Sequence, residues 1–194
     1  AHVSGSGPLN KRGRNNTSGG ILIEEGSTDF TIRNCTLSAI RGNGIWTHSL
    51  YTSHRNGPGL IEANRFVRIG RDAIQAGHAT GLRIVRNTGT HIGYPAGVVD
   101  VEGGGTPVAI DTAGDVDRSI YAENRFEEIN GKCIDLDGFH HGEVTANVCI
   151  NRGSAADYPF GHYGIVMNNT NPDMRSEQIK IVGNIIEGTK FGGI

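Results

Sequence analysis

The sequence of 194 residues has little of what defines several common protein classes. It has no apolar run of about 18 residues, the minimum for a membrane-spanning helix. Its 18 basic and 20 acidic residues leave a net charge of −2, which excludes a broadly positive surface for nucleic acid. It has only 7 leucines, and we do not expect a helical bundle.

Cysteine is also scarce. Cys35, Cys133 and Cys149 are an odd number and form no CxxC pair, so they predict neither a zinc knuckle nor a disulfide framework. We interpret them as small buried hydrophobic residues.

Glycine, isoleucine and asparagine are abundant, with 30, 21 and 16 copies. Isoleucine is β-branched and favours strands, whereas glycine and asparagine favour tight turns. The composition therefore predicts an all-β protein with many turns.

Asparagine recurs at related positions along the chain, each time shortly after an apolar residue. The successive gaps are 30, 23, 37, 23 and 37 residues. The asparagines are Asn34, Asn64, Asn87, Asn124, Asn147 and Asn184.

A second repeated element is a small residue followed by an apolar one. It occurs at Gly20-Ile21, Gly44-Ile45, Ala73-Ile74, Gly97-Val98, Cys133-Ile134, Gly164-Ile165 and Gly193-Ile194. The apolar residue lies 13 positions before the next repeated asparagine, or further where residues are inserted. One repeat without an insert has about 23 residues, a period typical of solenoids.

Two short strands in a repeat of this length predict a parallel β-helix, in which stacked coils bury a shared core. Asparagine tolerates the left-handed backbone of a bend, and its amide can bond to the next coil. We therefore predict that the six asparagines form one column. The predicted core contains Ile45, Ile74, Ile134 and Ile165 in one ladder and Phe66, Phe126, Cys149 and Ile186 in another.

The pattern resembles the right-handed parallel β-helix superfamily, which includes pectate lyases, polygalacturonases, alginate lyases and epimerases, and phage tailspikes. The resemblance implies one solenoid domain of about six coils over residues 19–194, preceded by an irregular segment, 1–18. A solenoid needs polar caps, and the last coil shows none. We expect a fragment of a longer β-helix, with self-association or a missing chain at that open end.

Strand alternation places every second residue after the small–apolar pair on the outer surface. In the fourth coil, starting from Gly97-Val98, this predicts either Val99 and Val101 or Asp100 outside. Inserts at 47–59, 102–118 and 169–177 would leave one corner and form walls beside this surface. Such a groove suits a linear polysaccharide.

The densest polar cluster follows Ile134. Asp135 and Asp137 would both point outward, about 6.5–7 Å apart along the strand. They could act as the two carboxylates of a glycosidase or hold a Ca²⁺ ion. His140 and His141 follow closely and could carry a proton near neutral pH. We predict these four residues as catalytic.

Other polar or aromatic residues near this surface are candidate substrate contacts. They are Trp46, His48, Gln75, Asn168 and Arg152. Asp111, Asp115 and Asp117, in a stretch that we interpret as a glycine-rich loop, are a second candidate cation site, although their spacing is not that of an EF-hand.

The resemblance implies a secreted or periplasmic lyase, glycoside hydrolase or epimerase acting on a linear polymer that contains uronic acid. No nucleic-acid partner, membrane span or required cofactor is expected. The Asn-Thr-Asp strand and Gly-His-Gly turn of polygalacturonases are absent, as is the Asp-Pro-His-Asp motif of alginate epimerases, so no family catalytic residue carries over. The alternative is a non-catalytic carbohydrate-binding, adhesin or structural β-helix.

Overall fold

The structure is a computed structural model, and its strands build three parallel sheets. The described residues are 1–5, 11–12, 15–16, 19–49, 54–99, 105–170 and 174–194. They form no α-helix, and none of their segments is a helix long and apolar enough to cross a membrane. Two short 3-10 turns, Ala96–Val98 and Ala155–Asp157, lie between strands.

Each coil passes through sheet 1, then sheet 2, then sheet 3. Sheet 1 contains β4 Ile21–Glu24, β7 Ile45–His48, β10 Ile74–Ala76, β11 Ala79–Thr80, β14 Val108–Asp117, β17 Gly131–His140 and β20 His162–Asn168. Sheet 2 contains β5 Phe30–Arg33, β8 Gly59–Glu62, β12 Leu82–Val85, β15 Ile120–Ala122, β18 Glu143–Thr145 and β21 Lys180–Val182. Sheet 3 contains β1 His2–Ser4, β6 Thr36–Ile40, β9 Arg65–Ile69, β13 Thr88–Ile92, β16 Arg125–Ile129, β19 Val148–Ile150 and β22 Ile185–Glu187.

This arrangement confirms the predicted parallel β-helix, with six coils marked by the six strands of sheet 2. Part of the segment expected to be irregular also takes part, because His2–Ser4 pairs in parallel with residues 36–38. A separate antiparallel pair joins β2, Lys11–Arg12, to β3, Asn15–Asn16.

The bore of the solenoid is filled by ladders of equivalent residues. Ile45, Ile74, Ile134 and Ile165 lie in register, as predicted, and each is at most 3% exposed. In sheet 3, Phe66 and Phe126 are buried two coils apart with ring centroids 6.3 Å from each other. Gly89 separates them, and a Cβ there would lie only 2.5 Å from the Phe126 ring. The glycine therefore leaves room for both rings.

Replacing Ile134 with alanine is expected to lower the free energy of unfolding by about 2–5 kcal/mol, because a stacked core position cannot collapse around the cavity. Chemical denaturation measures the loss. The control is Leu22→Ala in the same sheet, where the side chain is 45% exposed and a change below about 1 kcal/mol is expected. Equal stability of the Ile134 variant and wild type would contradict the ladder.

A column of amides closes the turn between sheets 2 and 3. The column consists of Asn64, Asn87, Asn124, Asn147 and Asn184, and each member after Asn64 accepts, on Oδ1, the backbone and side-chain N–H of the asparagine one coil earlier, at 2.9–3.0 Å. The first member has only a backbone donor, Cys35 N, at 3.0 Å.

The prediction for Asn34 is wrong by one position. Cys35, not Asn34, is in register with Asn64, and Asn34 is exposed. Asn34 instead has φ 53°, as Ala63 and Ala146 have φ 51° and 54° in their coils. The left-handed residue of the bend therefore precedes the ladder asparagine, whose own role is hydrogen bonding.

The fourth coil also differs from the prediction. Its strand begins at Val108, and Ile110 rather than Val98 joins the isoleucine ladder. Gly97-Val98 lies in a 3-10 turn, Val99 follows it outside any strand, and Asp100 and Val101 fall outside the described residues. The long connection of this coil therefore enters sheet 1 instead of leaving it, and the inserts do not share one corner.

Two of the three cysteines are bonded to each other, contrary to expectation. Cys133 of sheet 1 and Cys149 of sheet 3 belong to the same coil and form a disulfide across its interior. Both are buried at 1% exposure. Cys35 is free and half-buried. In the sequence, the odd number of cysteines argues against a disulfide, but three cysteines can form one disulfide and leave one free thiol.

Candidate active site

The outer surface of sheet 1 carries a compact set of acidic residues. Correct register places Asp111 directly beside Asp135 on the neighbouring strand, with Asp137 two residues further along. Asp72 lies in the turn just before β10, where hydrogen bonding aligns it with Val108 of the next coil. Four carboxylates from three successive coils thus meet on one surface.

These carboxylates line a cavity of about 370 Å³. Gly105 and Thr106 border it on the side where the chain enters sheet 1, and Thr170 borders it where the chain leaves. The polar lining also includes Arg71, Thr112, Lys132 and Asn168. A cavity therefore lies on this outer surface, and its borders come from both sides of the sheet rather than from one corner.

Three of these carboxylates have partners on their own coil or on a neighbouring coil. Gln75 Nε2 donates to Asp111 Oδ2 at 2.9 Å. Lys132 Nζ contacts Asp135 Oδ2. Asp137 accepts from Thr170, through the backbone N–H at 2.8 Å and also through the hydroxyl. The protein thus supplies side-chain or backbone partners for each of these three carboxylates.

Burial raises the pKa of three of these carboxyl groups and makes them weaker acids than usual. It raises the pKa of Asp111 well above its usual value, and the nearby charges of Asp72 and Asp135 raise it further. Burial also raises the pKa of Asp72, to about 6, against the opposing charge of Arg71. For Asp135, burial raises the pKa while the Lys132 ammonium opposes the shift. Asp111 therefore keeps its proton to a higher pH than an ordinary aspartic acid does.

Of the predicted site residues, Asp135, Asp137 and Asn168 line the cavity. Gln75 supports it by holding Asp111. Trp46 is next to Gln75 on the strand one coil earlier and is half-buried, with its ring edge against His48 at a centroid distance of 4.6 Å.

The predicted histidines do not line the cavity. His140 Nε2 lies 2.7 Å from Asp115 Oδ1, and its Nδ1 lies 2.9 Å from His141 Nδ1. Arg55 joins this network through Asp115 and Asp117, which are strand residues and not part of a cation-binding loop. The proximity of His140 to Asp137 in sequence is therefore misleading.

Arg152 is also away from the cavity. It is exposed, follows sheet 3, and pairs with Glu127 at 2.6 Å. The sequence argument missed Asp72 and Lys132, and it assigned Asp111 to a glycine-rich loop instead of to the strand beside Asp135. The position of Asp111 could have been found, because Ile110 lies 14 positions before Asn124, close to the base spacing of 13.

The arrangement of the side chains gives no additional evidence for the predicted Ca²⁺ site. Within the described ranges, no group of three or more His, Cys, Asp or Glu side chains is arranged around a common point. Asp135 and Asp137 are the carboxylates that could contribute to a Ca²⁺ site, and that role stays a prediction. Lys132 already places a positive charge against Asp135.

Asp72→Asn is expected to raise the free energy of unfolding at pH 8 by about 1–3 kcal/mol. The folded-state pKa of about 6 lies above the ordinary aspartate pKa of 3.8, so folding favours the protonated form and wild type loses stability as pH rises from about 4 to 6. Asparagine does not titrate and keeps the acceptor for Val108 N, as Asn43 does for Asp72 N. Urea denaturation at pH 4 and pH 8 tests this; a gain of equal size at both pH values would contradict it.

Two solved structures are similar to this chain. They are the selenomethionine and native crystal structures of GH136 lacto-N-biosidase from Eubacterium ramulus. The first has a TM-score of 0.56 and 10% identity, covering 96% of this chain and 48% of that one. The second has a TM-score of 0.52 and 12% identity, covering 87% and 45%. The chain thus spans about half the length of these enzymes, and the likeness shows a shared fold.

No curated protein matches the sequence. A protein family described as a right-handed beta helix region matches residues 19–194. This range contains all six coils and every carboxylate of the cavity. Together with the three parallel sheets, the match shows that the chain belongs to the right-handed β-helix family.

Proposed function

We propose that the protein is a glycoside hydrolase that uses Asp111 as its general acid and Asp135 as its nucleophile. The observation that carries the proposal is their pairing on adjacent strands at the floor of the cavity. The similar solved structures are also glycoside hydrolases by name. Asp135 is retained from the sequence prediction, whereas Asp111 replaces the histidines as the proton carrier.

The two residues have the contrasting environments that glycoside hydrolysis requires. One carboxyl group must hold a proton for the leaving oxygen while the other is ionised. The raised pKa of Asp111 supplies the proton. The Lys132 ammonium beside Asp135 favours its carboxylate form. Asp111 would protonate the glycosidic oxygen while Asp135 attacks the anomeric carbon, and Asp111 would then deprotonate the incoming water.

The strand geometry also predicts the stereochemical result. Adjacent parallel strands lie about 4.8 Å apart, and both side chains leave the same face of the sheet. Retaining glycosidases place their carboxyl groups about 5–5.5 Å apart, whereas inverting enzymes need about 6.5–9.5 Å. Asp111 and Asp135 therefore fit a retaining mechanism. The alternative, in which Asp137 acts through a water molecule, would give inversion.

The shape of the site suits a linear carbohydrate. The carboxylates come from stacked coils, so the cavity floor runs along the solenoid axis. Trp46 extends the same outer row towards the first coil and could stack on a sugar ring. The buried Cys133–Cys149 disulfide fits an oxidising compartment, and we propose a secreted or periplasmic location.

The test is turnover of a panel containing lacto-N-biosides, neutral β-glycans and uronic-acid polymers, with the anomeric form of the first product followed by NMR. We expect the first product to retain the anomeric configuration of whichever substrate is cleaved. Asp135→Ala should lose activity and, with azide, form the glycosyl azide of opposite anomeric configuration. Asp29→Asn, an exposed carboxylate outside the cavity, is the control and should retain activity. Binding without turnover on any substrate would favour the carbohydrate-binding alternative, and inversion would overturn the nucleophile role.

A further inference from the structure

The cavity contains buried acceptor atoms that lack donors. Asp72 Oδ2, Asp135 Oδ1 and Asn168 Oδ1 have no hydrogen-bond partner among the residues that the structure describes. Asp72 is 1% exposed and Asp135 is 5% exposed. Arg71 Nη2 is 4.0 Å from Asp72 Oδ2, beyond hydrogen-bond distance. A buried acceptor without a donor is costly, so these atoms indicate a ligand that supplies donors.

The charge around these atoms is unbalanced. Among the described residues, the cavity lining contains four aspartates, Asp72, Asp111, Asp135 and Asp137, and two basic residues, Arg71 and Lys132, so acidic groups outnumber basic ones even when Asp111 is protonated. Lys132 is engaged by Asp135. Asp137 uses its two oxygens for Thr170. A carboxylate or sulfate on a ligand would therefore meet like charges in a confined space, which is unfavourable.

We infer that the cavity selects a sugar unit bearing hydroxyl or ammonium donors and excludes uronate and sulfated units. The inference rests on the proposed carbohydrate site and names its substrate class. Hydroxyl groups would donate to Asp72 Oδ2 on one side and to Asn168 Oδ1 on the other. An amino sugar would add a charge-assisted bond to Asp72. This class differs from the uronic-acid polymer that the family resemblance implied.

A glycan array separates the two classes without requiring turnover. Its probes are neutral, amino-sugar, uronate and sulfated oligosaccharides, including sets with one backbone, such as a glucan, a glucosamine polymer and a glucuronan. We expect every bound glycan to be neutral or amino-bearing, with uronate and sulfated partners weaker by about tenfold or more. Equal or stronger binding of acidic glycans, or no binding of any glycan, would overturn the inference.

The outcomes also distinguish this inference from the hydrolase proposal. Neutral glycans that bind and are not cleaved would support the proposed selectivity and contradict the hydrolase proposal. Uronates that bind and are cleaved would support the hydrolase proposal and contradict the proposed selectivity. The readout is therefore affinity for the inference and turnover for the proposed function.

Asp72→Asn provides the matched variant. It keeps the acceptor for Val108 N and replaces the unpartnered oxygen with an NH₂ group. We expect affinity for the best neutral or amino-sugar ligand to fall about tenfold or more, since a hydrogen bond to a charged group is lost, while acidic glycans gain relative to it. Asp29→Asn removes the same charge outside the cavity and should leave both affinities unchanged. An unchanged preference in the Asp72 variant would contradict the assignment of this oxygen.

Discussion

Asp111→Asn is expected to lower kcat by about 10²–10⁴ on the substrate identified by the panel, because asparagine cannot protonate the leaving oxygen. The loss should be smaller for substrates with an acidic leaving group, which needs little protonation. This contrast separates a general acid from a residue that only shapes the cavity. Activity assays on a paired natural and activated aryl glycoside measure it.

The pH profile gives an independent check. Because the pKa of Asp111 is raised, the group keeps its proton above the pH at which an ordinary aspartic acid has lost it. Wild-type kcat/KM should fall on the alkaline side as Asp111 ionises and on the acid side as Asp135 is protonated. The Asp111→Asn variant should lose the alkaline limb only. An unchanged profile, or unchanged turnover, would place the acid elsewhere.

Asn124→Ala is expected to lower the free energy of unfolding by about 4–8 kcal/mol. Asn124 Oδ1 accepts two N–H groups from Asn87, and Asn124 Nδ2 donates to Ile84 O and Asn147 Oδ1. Alanine would leave Asn87 N and Ile84 O without this partner, at about 1–3 kcal/mol for each buried group. It would also remove one of the two bonds of Asn87 Nδ2 and of Asn147 Oδ1, at about 0.5–1.5 kcal/mol each. The loss should therefore exceed that of an ordinary core truncation.

Asn34→Ala is the control for the ladder. Asn34 occupies the exposed left-handed position where two other coils have alanine, so the substitution should cost less than about 1 kcal/mol. Urea denaturation of both variants gives the comparison. If Asn34→Ala were as destabilising as Asn124→Ala, the two asparagines would have equivalent roles and the assigned register would be wrong.

Local patterns predicted the fold well because each coil repeats the same alternation and the same bend. Ile134 and its partners could be aligned without coordinates, and Asp135 and Asp137 followed from strand alternation alone. The predicted register was wrong in the fourth coil, where a residue pair matched the repeat pattern by chance. Gly97-Val98 has the form of a strand start but lies in an insert, and this displaced Asp111 from its true neighbour, Asp135.

The remaining errors at the site concern contacts between segments distant in sequence. His140 follows Asp137 closely, yet its partner is Asp115 of the previous coil, which also contacts Arg55. Asp72 reaches the cavity through stacking and not through any motif of its own. The Lys132–Asp135 contact depends on side-chain direction. Repeat spacing determines which strands are neighbours, but it does not specify these partnerships.

The amide ladder separates the length of the connecting loops from the position of the carboxylates. All of its asparagines lie between sheets 2 and 3, whereas the long connections adjoin sheet 1. A loop can therefore gain or lose residues while the next asparagine restores the register of its coil. Cavity walls can diversify in evolution or by loop grafting while Asp111 and Asp135 remain opposite each other.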